Sequence, residues 1–376
     1  MSSYTTRITV FICMLTMALA ANGQITPQHT SKYVCPPCYH VDKFLDGAEH
    51  EHDGKCPVCG MALIEKPLFD INTAPELHSG SGSFYFQAQQ QASSILIPVF
   101  YHKPTSFNHD TRILLVIPGA GRNAWSYRDA WIKASELHNV LVISPSYAEQ
   151  SFDFAAYHFA GIVDSLEFTN FTTSSTDGRV NKYFMQDEDL KLGNPTSPEN
   201  WLFNDFERLF VQVKTATGLT ATHYDLFGHS AGGQILHRMA IYNPRSSADR
   251  IIAANSGSYT LPNFAHNYPF ALGRSQFNPE FFPDVFSTKL TLLIGEQDND
   301  QETRGTLLHS PITDKRGLGR LARGQYFFKA AQQQAFDMDL PFNWQMKIVP
   351  NVGHDYENMS IAAAELLYGA GATSKQ

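Results

Sequence analysis

The chain has 376 residues, 43% of them hydrophobic and only 17% charged, so it can bury a large core and is not a disordered tail. Its net charge of −8 comes without any long run of Lys or Arg. That excludes nucleic acid as a main partner and docking on an anionic membrane surface, because phosphate binding needs clustered cations.

Residues 1–23 hold one charge, Arg7, followed by an apolar run from Ile8 to Ala21. The run falls short of the ~20 residues that span a bilayer comfortably and matches the apolar region of a secretory signal. Ala18-Leu19-Ala20 and Ala21-Asn22-Gly23 offer small-x-small cleavage sites. A signal peptide over 1–23 predicts a secreted or periplasmic protein with no stable membrane insertion after cleavage; a retained anchor is the alternative.

Four of the five cysteines cluster between residues 35 and 59, as Cys35-Pro36-Pro37-Cys38 and Cys56-Pro57-Val58-Cys59. Each Cys-x-x-Cys turn can aim two sulfurs at one centre, and two such turns make a tetrahedral Cys₄ set suited to Zn²⁺. A segment this short buries too little apolar area to fold alone, so metal binding would supply its folding energy. Two disulfides in an oxidising compartment, or a copper or other heavy-metal site, are the competing readings. The stretch Gly54-Lys55-Cys56-Pro57-Val58-Cys59-Gly60-Met61-Ala62-Leu63 resembles the small heavy-metal-binding domain of bacterial envelope proteins. The first half, with its extra thiol at Cys38, is closer to a zinc ribbon. The module is assigned to 31–65, followed by a Pro- and Gly-containing linker over 66–82.

From residue 83 the pattern is that of a larger domain reaching 370. Phe84–Gln87 and Ile95–Tyr101 read as a strand hairpin. The continuous apolar run at 113–117 and the run at 140–143 read as buried strands, and 224–227, 250–254, 290–294 and 345–349 read as further strands. Helical patterns fall at about 127–138, 201–210, 231–242, 320–335 and 355–368. Such alternation predicts an α/β fold, a mostly parallel sheet covered by helices on both faces. Residues 147–200 interrupt it with an aromatic-rich insertion, which either caps a pocket or fills a small core of its own.

Gly228-His229-Ser230-Ala231-Gly232 lies between a strand and a helix, the setting of a nucleophile elbow. A serine hydroxyl needs a base, and the base needs an orienting acid. Asp298 follows the strand at 290–294, and His354 follows the strand at 345–349. In a parallel sheet all three lie at one edge, beyond the carboxyl ends of the strands. Asp300 and Glu296 are rivals for the acid. The N–H of Ala231 is one candidate oxyanion donor, and that of Ala120 or Gly121, in Pro118-Gly119-Ala120-Gly121, is the other. Arg122 and Trp125 beside that loop are candidate substrate contacts.

The motif order Ser230, Asp298, His354 over residues 83–370 resembles the α/β-hydrolase superfamily. Pro-Gly-Ala-Gly, Gly-His-Ser-Ala-Gly-Gly and Val-Gly-His-Asp make the chain similar to secreted esterases of the polyhydroxybutyrate depolymerase and feruloyl esterase kind. The resemblance implies an exported serine hydrolase, an ester hydrolase acting on a small or polymeric ester, with no cofactor for catalysis. A serine peptidase of the same fold, or a metal-handling or binding protein that uses the fold as a platform, are the alternatives.

Overall fold

Alternate residues of each buried run face opposite sides of one sheet, and this sets the architecture. In the computed structural model, which describes residues 33–35, 49–57, 63–65, 75–90, 93–176 and 178–369, Ile113, Leu115 and Ile117 enter one apolar core while Leu114 and Val116 enter a second. A strand apolar at every position is thereby explained, since both of its faces are covered.

Three two-residue strands, β1 (Tyr33–Val34), β2 (Glu49–His50) and β3 (Ile64–Glu65), form an antiparallel sheet with β1 in the middle. The main sheet starts with the hairpin β4 (Gly80–Gln90) and β5 (Ser93–Lys103), so the first strand takes up the end of the expected linker. β6 (Arg112–Ile117), α1 (Ala124–Ala130), α2 (Ile132–His138) and β7 (Val140–Pro145) follow. The single helix expected at 127–138 is two helices, because the chain breaks at the fully buried Trp131, whose indole packs edge-on against Phe227.

The insertion contributes α3 (Phe154–His158), β8 (Leu166–Phe168), β9 (Thr172–Thr176), β10 (Arg179–Phe184) and β11 (Leu190–Leu192). Then come α4 (Phe203–Thr217), β12 (Tyr224–His229), α5 (Ala231–Tyr242), β13 (Ala248–Ala254), α6 (Phe282–Ser287) and β14 (Lys289–Gly295). The chain closes with β15 (Leu307–His309), α7 (Pro311–Arg316), α8 (Arg320–Asp337), β16 (Gln345–Val349) and α9 (Tyr356–Tyr368).

The eight-stranded sheet runs β16-β14-β13-β12-β6-β7-β5-β4. It is parallel from β16 to β7 and antiparallel at β5 and β4. Residues of α4, α5 and α8 pack in the first core, and those of α1, α2 and α9 in the second. Helices thus cover both faces, as the strand pattern requires. The described residues from Tyr33 onward belong to one compact unit. Residues 1–23 and the cysteines Cys38 and Cys59 lie outside the described residues.

Candidate active site

Ser230 sits where β12 gives way to α5, with φ 58° and ψ −115°, a conformation that non-glycine residues adopt at a cost of about 1–3 kcal/mol. The turn survives because its surroundings leave no alternative. A Cβ on Gly232 would fall 2.1 Å from the carbonyl oxygen of Ile117, so α5 packs directly on the end of β6 only with glycine there. The strain lifts the Ser230 hydroxyl off the sheet edge.

The two other strand-end residues converge on it. The Ser230 Oγ lies 3.1 Å from His354 Nε2, and His354 Nδ1 lies 2.8 Å from Asp298 Oδ2. Asp298 is fully buried and is the acid that meets the imidazole. Of its rivals, Glu296 instead caps the loop by accepting the N–H of Asn351, and Asp300 offers its main-chain carbonyl to Lys182. With Nδ1 facing a carboxylate, that nitrogen carries the imidazole proton and Nε2 presents its lone pair to the serine. Burial, with the Arg320 guanidinium nearby, holds His354 well below the ordinary imidazole value, so the ring is neutral at pH 7.

Three residues that sequence reasoning missed hold this pair. Arg320, only 2% exposed, donates from Nη1 to Asp298 Oδ1 at 3.0 Å and from Nη2 to the Thr306 carbonyl at 3.0 Å. Burial pushes Asp298 up, and Arg320 opposes that rise. Glu302 accepts the main-chain N–H of His354 at 2.7 Å. Burial raises its carboxyl, but the Arg304 side chain and the N–H groups of Arg304 and His354 prevail and bring it to about 2. Asn255 donates to the Gly353 carbonyl and accepts from the Gly295 N–H, which ties the histidine loop to the end of β14. No local signal marks these residues in the sequence, since Arg320 stands 22 positions beyond Asp298 on another element.

The loop at 118–121 closes against Ser230 from the other side. A Cβ on Gly119 would lie 3.3 Å from the Ser230 Cβ and 2.8 Å from the Tyr127 hydroxyl. The loop turns at once, the N–H of Arg122 donating to the Gly119 carbonyl at 3.0 Å, which places Ala120 and Gly121 at the tip of the turn. Ala231 is the first residue of α5, where main-chain N–H groups have no partner within the helix. His229 lies beneath the elbow, bonded to Tyr127 and Asn255.

Arg122 is buried and turned into the protein. It is 4% exposed, lies over the Tyr157 ring at 4.4 Å and donates to the carbonyls of Tyr147, Phe152 and Asp153. Its cation organises the start of the insertion, where buried carbonyls need donors. Trp125, the second expected contact, packs against the buried pair Cys35 and Cys56. Cys35 and Cys56 are both buried in that one cluster. Among the described residues no group of three or more His, Cys, Asp or Glu side chains is arranged around a common metal position.

No family model and no curated protein matches the chain. Solved structures do. Poly(aspartic acid) hydrolase-1 from Sphingomonas sp. KT-1 is 32% identical with a TM-score of 0.66, over 78% of this chain and 100% of that one. A poly(3-hydroxybutyrate) depolymerase from Bordetella parapertussis is 26% identical with a TM-score of 0.65, over 77% of this chain and 90% of that one. Sheet order, strand-end site and an identity sustained along the whole of the first relative agree: this chain is an α/β-hydrolase and belongs to the same hydrolase family as poly(aspartic acid) hydrolase-1.

Proposed function

We propose that the chain is an exported serine hydrolase that cleaves an ester or related acyl bond through Ser230, His354 and Asp298. The observation that carries this reading is the continuous relay from Ser230 Oγ to His354 Nε2 at 3.1 Å and from His354 Nδ1 to Asp298 Oδ2 at 2.8 Å. In this mechanism His354 takes the hydroxyl proton as Ser230 Oγ attacks the acyl carbonyl. Asp298, held by Arg320, keeps the imidazole oriented and stabilises its charged form. The N–H groups of Ala231 and of Ala120 or Gly121 receive the oxyanion. His354 then protonates the leaving group, and water, activated by the same imidazole, releases the acyl group from Ser230.

Two bonds deserve testing, because one relative acts on poly(aspartic acid), a chain of amides, and the other on poly(3-hydroxybutyrate), a chain of esters. The carboxylic ester is our first reading. In the same reading residues 1–23 direct export, and Cys35, Cys38, Cys56 and Cys59 hold Zn²⁺, which serves the module's folding. The burial of Cys35 with Cys56 fits such a donor set. Metal analysis of the purified protein tests it: no zinc together with four oxidised thiols replaces the metal by two disulfides.

A fluorophosphonate probe tests the nucleophile. It should label the folded protein, and Ser230→Ala should abolish the label; labelling that persists in the variant would remove Ser230 from the mechanism.

A further inference from the structure

A concave site lies where the insertion meets β15. A cleft of about 740 Å³ opens between the insertion and the segment after β15, within the range of small-molecule sites. It is lined by Phe171, Phe184 and Asp189 from the insertion and by His309 and Asp314 from the other wall. β15 pairs in parallel with β10, matching Phe184 to His309, and the two rings stack with centroids 4.9 Å apart.

The cleft is tied to the catalytic edge by a short path. Gly305 touches His354 so closely that a Cβ there would lie 2.6 Å from the ring. His309 is four residues further on, which extended chain spans in at most about 14 Å. A substrate of about ten bonds can therefore bridge the two places.

Two carboxylates line the cleft; Asp314 is paired with Arg323 Nη2 at 3.1 Å, which leaves Asp189 as the carboxylate without a cation among its hydrogen-bond donors. Asp189 is held ionised below its usual range by the Asn170 side chain, with Thr169 and the Gln186 N–H also donating to it. His309 is 5% exposed, and its Nδ1 lies 2.8 Å from Asp314 Oδ1. Burial keeps the ring neutral, so Nδ1 carries the proton and Nε2 is an acceptor. That Nε2 is buried with no hydrogen-bond partner among the described residues, a state that costs free energy unless a donor arrives. Phe171 and Phe184 remain 48% and 40% exposed, presenting ring surface with a negative electrostatic face. The Asp189 carboxylate and the exposed ring faces favour a ligand that carries positive charge.

We propose that this cleft is a subsite for an organic ammonium group, so that the preferred substrate is an acyl compound bearing a protonated amine. The inference rests on the hydrolase reading above and sharpens its substrate class. It also sets this chain apart from its relative: poly(aspartic acid) is a polyanion, and like charge at Asp189 works against such a chain.

The test uses the full chain and three probes of one length, hexylammonium, 1-hexanol and hexanoate, each titrated calorimetrically. Hexylammonium should bind about tenfold tighter than hexanol, and hexanoate weakest. Asp189→Asn and Phe184→Ala, both on the cleft's exposed rim, should each weaken hexylammonium about tenfold with the melting temperature retained. Equal binding of the three probes, tighter binding of hexanoate, preferential binding of the neutral sugar cellohexaose, or hexylammonium binding unchanged in both variants overturns the proposal. Hydrolysis of p-nitrophenyl acetate, measured alongside, separates the two readings. Turnover without selective ammonium binding removes the subsite and keeps the hydrolase; ammonium binding without turnover or probe labelling does the reverse.

Discussion

The strands of the central sheet and those of the insertion differ in what covers them. Every residue of β12 and every residue of β6 from Ile113 onward is buried, with helices over both faces. In β9 the residues from Thr172 to Ser175 are exposed, and in β10 only Asn181 is buried. Ser230 stands at the end of the first kind of strand and the ammonium cleft on the second, while His354 follows β16, an edge strand in which no residue is buried. A covalent reaction needs its groups held to a fraction of an ångström, which a doubly covered sheet provides. A binding cleft built from exposed strands tolerates looser support and freer change of sequence.

The largest effect expected is Ser230→Ala, which should lower kcat for a p-nitrophenyl ester by about 10⁵- to 10⁶-fold and leave the melting temperature near that of the parent. A modest loss would mean that the precision assigned to the sheet edge is not used for covalent chemistry. Next comes stability. Leu115→Ala, at a fully buried site of β6, should cost about 2–5 kcal/mol in urea unfolding. Val180→Ala in β10, at a site 40% exposed, should change stability by no more than about 0.5 kcal/mol. Similar costs at the two sites would erase the distinction between sheet and insertion.

Arg320→Leu should be smaller in kcat, about 10- to 100-fold, well short of the ~10⁴ expected for loss of the acid itself. Its signature is the pH profile. The base must be unprotonated, so activity falls as pH drops through the pKa of His354. Burial and then Arg320 depress that value. Removing the cation raises it, and the acid limb of kcat/KM should move to higher pH, with Arg320→Lys moving it back. A profile that stays in place would make Arg320 a packing residue only.

The smallest effect concerns Asp205, on α4 beneath the hairpin. Burial, opposed by Arg208, raises its carboxyl to about 7 in the folded protein. An unfolded Asp titrates near 3.9, so between these values the folded state holds a proton that the unfolded state has released. Its contribution to stability is therefore greatest at acid pH and declines as pH rises towards about 7. Asp205→Asn should flatten the decline of melting temperature from pH 5 to pH 8; an unchanged slope assigns it to other groups.

The parts legible from residue order are those whose physics is local. Continuous apolar runs exposed the central strands, because a strand covered on both faces has no polar face to show. The glycines around Ser230 marked a turn that only small residues fit, and Asp298 and His354 each sit one short loop beyond a strand. The strands of the insertion stayed hidden, since a segment such as Thr172–Thr176 carries no alternation when neither face is buried. Trp125 and Arg122 looked like substrate contacts because they neighbour the oxyanion turn, but proximity along the chain says nothing of direction. One side chain turned towards Cys35 and Cys56 and the other towards the carbonyls of the insertion.

Residue order alone thus specified a sheet covered by helices on both faces and the strand ends that carry Ser230, Asp298 and His354. Folding chose the partners of those groups. Arg320 reaches Asp298, Glu302 holds the His354 main chain, and Phe184 meets His309 across a parallel pairing of β10 with β15. The reason is range: turns and apolar periods act over a few residues, whereas a buried charge is satisfied by whichever donor the packed chain brings beside it, at any separation in sequence.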